Sequence, residues 1–145
     1  YGSCNMETLI KGGCLCKKIR YKACAEPKWI SICHCRMCQK AYGNTSAIFV
    51  AFDAGQLEFT SGLPKYFQSS DIAKRGFCPE CGSPIVFSYQ SVDAVFIGTL
   101  DDPENWQPNG VHLGIESQIP WDIIHDDLPQ HRTEDDPDFI AAGSK

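Results

Sequence analysis

Cys78-Pro79-Glu80-Cys81-Gly82 is the stretch that decides how this chain must fold. A Cys-x-x-Cys turn delivers two sulfurs to one point, because the backbone doubles back within four residues. Pro79 presets the φ of such a turn, and Gly82 permits the positive φ that often ends it. A tetrahedral metal needs two further ligands from far along the chain. Cys14-Leu15-Cys16, preceded by Gly12-Gly13, is a natural donor pair. A site of Cys14, Cys16, Cys78 and Cys81 would tie the first strands to the middle ones. Four thiolates leave no coordination position free, so a zinc ion held there is expected to be structural.

Working outward, Cys33-His34-Cys35-Arg36-Met37-Cys38 offers three sulfurs at the end of a strand and the start of a helix. Catalytic zinc sites usually have three protein ligands and one open position, whereas structural sites are filled. From spacing alone two readings stand: an open second zinc site of Cys33, Cys35 and Cys38, or a second structural site completed by Cys24 or His34. The start of the helix can aim backbone N–H groups at an anion. Arg36 and Lys40 lie close by in sequence, where they could draw in a carboxylate of a small acidic ligand.

Nine cysteines in 145 residues have two ordinary explanations, a disulfide framework or metal ligation. Seven of them fall in groups whose members converge locally, and the total is odd. The first residues show neither the basic nor the apolar stretch of a secretory signal. Reduced, metal-bound thiolates in a cytoplasmic protein are the expectation. Cys4 is expected to be free in a mobile terminus, and Cys24 to be a buried small hydrophobe unless it is a ligand.

The strand pattern places these groups on a mainly β scaffold. Residues 18–23 alternate polar and apolar, residues 47–52 are continuously apolar, and Asp53-Ala54-Gly55 leads into residues 56–60 as a hairpin would. Further short runs at 65–68, 85–89, 94–100 and 111–116 have the spacing of a small sandwich or open barrel of antiparallel strands. The one helical stretch runs from Cys35 to Tyr42, with Gly43 placed as its left-handed cap. Very little other helix is expected.

The chain has room for one domain. The expected division is an N-terminal extension over 1–8, a zinc-binding domain over 9–129, and an acidic C-terminal tail over 130–145. From Asp126 onward acidic residues and prolines crowd together, which predicts a solvated tail or a loosely packed strap. A net charge of −5 argues against a phosphate backbone as partner. No apolar run approaches the roughly 18 residues of a membrane span.

Individual residues carry weaker expectations. His34 lies between two ligands and points away from them in extended backbone, which favours packing or hydrogen bonding over ligation. Arg75, before the second knuckle, would hydrogen-bond sulfurs or carbonyls of a zinc centre, or bind a substrate carboxylate. Trp29 and Trp121 are expected to be core aromatics, with an aromatic wall for a ligand as the other reading.

Three further stretches complete the pattern: Gly13 to Tyr21, Cys33 to Cys38 with Gly43, and Arg75 to Gly82. Together with His112, Ser117, Pro120-Trp121 and Asp126-Asp127-Leu128-Pro129, they resemble the glutathione-dependent formaldehyde-activating enzyme family, which includes centromere protein V. The resemblance covers Leu9 to Pro129. It implies a small all-β fold with two zinc ions per chain: a structural one on Cys14, Cys16, Cys78 and Cys81, and a catalytic one on Cys33, Cys35 and Cys38, where glutathione binds as co-substrate. The implied reaction is that of a carbon–sulfur lyase, S-hydroxymethylglutathione synthase-like: glutathione or a similar thiol condenses with formaldehyde or another small aldehyde. The alternative is a non-catalytic, zinc-stabilised binding module, or a relative acting on a different thiol conjugate. The expected partners are a small thiol and an aldehyde, with neither nucleic acid nor membrane.

Overall fold

The computed structural model describes residues 9–136. The expected extension over 1–8, Cys4 within it, and residues 137–145 of the acidic tail lie outside the described residues. Among the described residues ten strands form two sheets, with one short helix. A three-stranded sheet runs in the order β1 (Leu9–Gly13), β2 (Arg20–Cys24), β5 (Leu57–Ser61). A seven-stranded sheet runs β10 (His112–Leu113), β3 (Trp29–Cys33), β4 (Ala47–Asp53), β9 (Val92–Phe96), β8 (Pro84–Tyr89), β7 (Ala73–Phe77), β6 (Lys65–Gln68). Every pairing is antiparallel except that of β10 with β3. The mainly β, open architecture matches expectation, and it is a layered pair of sheets instead of a closed barrel.

The continuous apolar run at 47–52 has a simple cause in this arrangement. β4 sits inside the large sheet with both faces covered, so both halves of its period-two alternation must be apolar. Ile48, Val50 and Phe52 face the core shared with the small sheet, among Ile10, Ile19, Tyr21, Ile30, Val86 and Val95. Ala47, Phe49 and Ala51 face the other side, where Cys33, Cys35, Cys38, Phe87 and Phe96 form a second core. Each such large side chain contributes about 1.5–3 kcal/mol when fully buried.

The expected hairpin over 47–60 does not form. The turn exists, with Gly55 at φ 95°, but β4 pairs with β3 and β9 while β5 pairs with β2. The chain changes sheets at this turn, which turn-forming residues alone do not signal. The run expected at 111–116 is also shorter than read: β10 has two residues, and a 3₁₀ turn follows at Ile115–Ser117. Trp121 is 72% exposed and so is not a core residue. Trp29 is partly buried against the second core.

Helix α1 (Arg36–Tyr42) packs on the second core and is built as the sequence suggests. Cys35 is its N-cap, accepting through Sγ from the backbone N–H of Cys38, and Gly43 closes it at φ 62° with its N–H donating to the Gln39 carbonyl. Because β3 ends at Cys33, the strand-to-helix joint itself carries all three cysteines. No helix among the described residues is long and apolar enough to cross a membrane.

Candidate functional site

The four cysteines of the first group converge. The Sγ atoms of Cys14, Cys16, Cys78 and Cys81 lie within 4.8 Å of one another. A tetrahedron with Zn–S near 2.3 Å sets its sulfurs about 3.8 Å apart. The Cys14–Cys16 and Cys16–Cys78 separations are 3.5 and 3.8 Å, and no disulfide joins any of the four. Backbone N–H groups already face these sulfurs: Ile19 donates to Cys14 Sγ at 3.3 Å and Cys81 to Cys78 Sγ at 3.5 Å. Ser83 Oγ lies 3.2 Å from Cys81 Sγ, and this contact heads the effects that pull the Cys81 thiol down to about 5. The set can hold a metal ion, and it would pin the β1–β2 turn to the β7–β8 turn.

Cys33, Cys35 and Cys38 form the second cluster, also within 4.8 Å and all buried. No fourth His, Cys, Asp or Glu joins them among the described residues. The two residues considered as completing ligands are accounted for elsewhere. Cys24 is exposed on β2 and disulfide-bonded; in the alternation that turns Tyr21 and Ala23 inward, position 24 faces out, so it is not the buried hydrophobe expected. His34 turns to His112, with Nε2 and Nδ1 2.8 Å apart.

Ionisation within this cluster is uneven. Hydrogen bonds from Cys33 and Cys38 push Cys35 down to about 3. Burial pushes Cys33 up. Cys38 is drawn down by Cys33 but raised further by Cys35 and burial, to about 12. Burial and mutual repulsion oppose three thiolates at such close quarters, so all three ionise together only around a cation.

The flanking cations separate in space. Arg75 is 6% exposed; its Nη1 donates to Tyr42 Oη at 2.8 Å and approaches Cys38 Sγ at 3.9 Å. Its guanidinium lies over the Phe87 ring, 4.7 Å from the centroid. Arg36 is exposed and bonds Gln39 Oε1. Lys40 is exposed one turn further along α1. The anion expected at the helix start meets competition from within, since the Cys38 N–H is already directed at Cys35 Sγ at 3.4 Å.

Gln39 and Tyr42 belong to no motif read from the sequence, whereas Asp126 lies in the closing stretch of the family resemblance. Gln39 Nε2 donates to the His34 carbonyl at 2.7 Å and to the Ser117 carbonyl at 2.9 Å, tying the strand-to-helix joint to the 3₁₀ turn after β10. Tyr42 could have been suspected from its i, i+4 spacing from Cys38, which puts both on one helix face. Asp126 accepts from His112 Nε2 at 3.0 and 3.1 Å, across a strap that bends back over β10. The described part of the expected tail continues this contact, with the His131 N–H donating to the His112 carbonyl at 2.8 Å.

One family model matches residues 9–114 of the chain, that of the glutathione-dependent formaldehyde-activating enzyme. The chain belongs to that family. Among curated proteins, an uncharacterized lyase of Schizosaccharomyces pombe is 39% identical over 82 residues, covering 54% of this chain and 57% of that protein. The chain therefore spans little more than half the length of this family relative. Among solved structures, a Rhodobacter sphaeroides protein superposes with a TM-score of 0.51 at 21% identity, covering 63% of this chain and 87% of the other. That likeness supports the fold of this family member.

Proposed function

We propose that this family member is a zinc-dependent carbon–sulfur lyase-type enzyme that joins glutathione or a similar thiol to formaldehyde or another small aldehyde at the Cys33, Cys35, Cys38 cluster. The single observation that carries the reading is three buried sulfurs with no fourth protein ligand among the described residues. The family match and the name of the yeast relative support the lyase direction. Zinc bound there would supply a position that stabilises a thiolate or polarises an aldehyde oxygen, and the four-cysteine set would hold a second, structural zinc.

The net step is balanced without any redox partner. The S–H bond of the thiol and the C=O π bond of the aldehyde are replaced by an S–C bond and an O–H bond. The protein's own contribution is charge and position. Three thiolates around a divalent cation leave a formal charge of −1, which disfavours an incoming thiolate. Arg75, with Nη1 3.9 Å from Cys38 Sγ, offsets that charge. Cys35, as N-cap, and Gln39, bonded to the His34 carbonyl, fix the joint on which the sulfurs sit. Holding thiol and aldehyde side by side contributes further, because a bimolecular step becomes effectively unimolecular.

Exchange NMR on a mixture of formaldehyde and glutathione tests the reading. The zinc-loaded protein should speed interconversion of free and S-hydroxymethyl glutathione, and Cys35→Ser should abolish the gain. Exchange no faster than in protein-free buffer, for glutathione and for other thiols, would sink it. One observation favours the second reading, a structural module: all three cysteines are at most 3% exposed. In that case Cys35→Ser would unfold the protein outright.

A further inference from the structure

A cleft of about 600 Å³ opens between α1 and the β6–β7 edge of the large sheet, within the size range of small-molecule sites. Its walls are apolar: Met37, Tyr42, Phe67, Phe77 and Pro84. Phe67 is 64% exposed, an aromatic ring left in water by a strand that has no core of its own to cover it. Two cations, Arg75 and Lys40, also line the cleft, and no Asp or Glu does among the described residues.

Arg75 is the unusual member. Its Nη1 is engaged by Tyr42, but Nε and Nη2 are buried with no hydrogen-bond partner among the described residues. An unpartnered buried donor of this kind costs about 1–3 kcal/mol, and more when charged. An arginine kept in that condition at the floor of an apolar cleft is completed by a ligand that brings an oxyanion. The same guanidinium touches Cys38 Sγ, so the floor of the cleft is one contact away from the three-sulfur cluster.

The geometry points to this cleft as the binding site for a singly anionic ligand with an apolar body. Resting on the function proposed above, it makes the preferred thiol one with a carboxylate near its sulfur and an aryl or alkyl body, in preference to glutathione. The contact between Arg75 and Cys38 requires that sulfur and carboxylate lie on one side of the ligand. The apolar body then lies along Met37, Phe67 and Phe77. Glutathione brings two carboxylates and an ammonium group; the cleft has no acidic side chain for the ammonium, and its apolar walls do not match a peptide backbone. Arg75 and Phe67 are the specificity-determining residues.

Benzoate is the thiol-free probe and 2-mercaptobenzoate the thiol-bearing one, each titrated into the full zinc-loaded chain and followed by amide NMR shifts. Benzoate should shift the amides of Ala41, Gly76 and Gly82, which border the cleft. Glutathione at the same concentration should shift them less. Arg75→Gln should weaken benzoate at least roughly 10-fold, as loss of a charge-assisted pair does, and Phe67→Ala by about 3-fold or more. If Arg75→Gln does not fold, Phe67→Ala and Lys40→Gln, both at exposed positions, carry the decision. The inference is overturned if benzoate shifts none of the three amides, if glutathione binds there equally well, or if the folded variants bind benzoate as the parent does. The two proposals fail distinguishably: benzoate binding with silent formaldehyde exchange removes the enzyme reading and the thiol preference that rests on it but leaves the anion-binding cleft, whereas exchange with an empty cleft removes this inference alone.

Discussion

His34 Nε2 and His112 Nδ1 lie 2.8 Å apart with both rings buried, and His112 Nε2 faces the Asp126 carboxylate. A carboxylate can only accept, so in the uncharged pair His112 donates from Nε2 and accepts from His34 at Nδ1. Through His112, Asp126 helps set the orientation of the His34 ring, which lies between two candidate ligands. His112→Phe, which keeps the ring volume and removes both bonds, should cost about 2 kcal/mol by stranding a buried His34 donor. Urea denaturation of the zinc-loaded protein measures it. A loss below a few tenths of a kcal/mol would mean the ring finds other partners.

The same pair gives the fold a pH dependence. Burial, then the neighbouring His112, pulls the His34 imidazole below its ordinary value, against weaker opposing pulls from Asp122, Asp126 and Cys35. The unfolded chain then binds more protons than the folded one just below the ordinary histidine range near 6.5. Stability from this source is complete above that range and declines as the pH falls through it. Denaturation midpoints should drop between about pH 7.5 and 5.5, and His34→Gln should flatten the drop. An unchanged slope in the variant would trace the effect to other groups.

The two cysteine clusters should respond differently to the same treatment. Cys78→Ser breaks the clamp between the β1–β2 and β7–β8 turns, and is expected to abolish the cooperative thermal transition. Cys35→Ser should leave the transition visible and lower bound zinc by about one equivalent per chain. Metal analysis by mass spectrometry alongside circular dichroism distinguishes the outcomes. Equal loss of fold in both variants would indicate two structural sites.

Glycine substitutions separate two kinds of constraint. A Cβ on Gly12 would sit 2.3 Å from the Thr99 carbonyl oxygen and from Tyr21 Oη, so Gly12→Ala must push β1 away from the 3₁₀ turn Ile97–Thr99. About 2–3 kcal/mol is expected. Gly43 has open space around it but sits at φ 62°, so Gly43→Ala should cost only about 1 kcal/mol of backbone strain. Thermal melts of the two variants should rank in that order, and a reversed ranking would contradict the packing at Gly12.

Local chemistry made much of this molecule legible. The Cys14-x-Cys16 and Cys78-x-x-Cys81 pairs, the Cys33, Cys35, Cys38 group and the helix with its Gly43 cap follow from spacings of two to eight residues, over which backbone geometry dictates what meets, while the joining of the two pairs into one site rests on what a tetrahedral metal needs. What sequence reading missed depends on contacts between distant segments. Asp53-Ala54-Gly55 has the chemistry of a hairpin turn, yet which sheet β5 joins is decided by Tyr21 and Phe59 meeting across the small sheet. His112 finds His34 78 residues away, and no periodicity announces such a meeting. Trp121 was expected inside on hydrophobicity alone, which says that an indole can be buried, not that a wall waits for it.

The clamp between the two sheets also imposes an order in time. Cys16 and Cys78 are 62 residues apart in sequence, and at synthesis rates of about 5–20 residues per second the second sulfur pair follows the first by roughly 3–12 s. Through that interval β1 and β2 are on hand with two thiols that have nothing to close upon. A nascent chain therefore exposes Cys14 and Cys16 as a bare thiol pair before Cys78 and Cys81 exist, and under the zinc reading proposed above the competition between soft metals for that pair begins before the fold is complete.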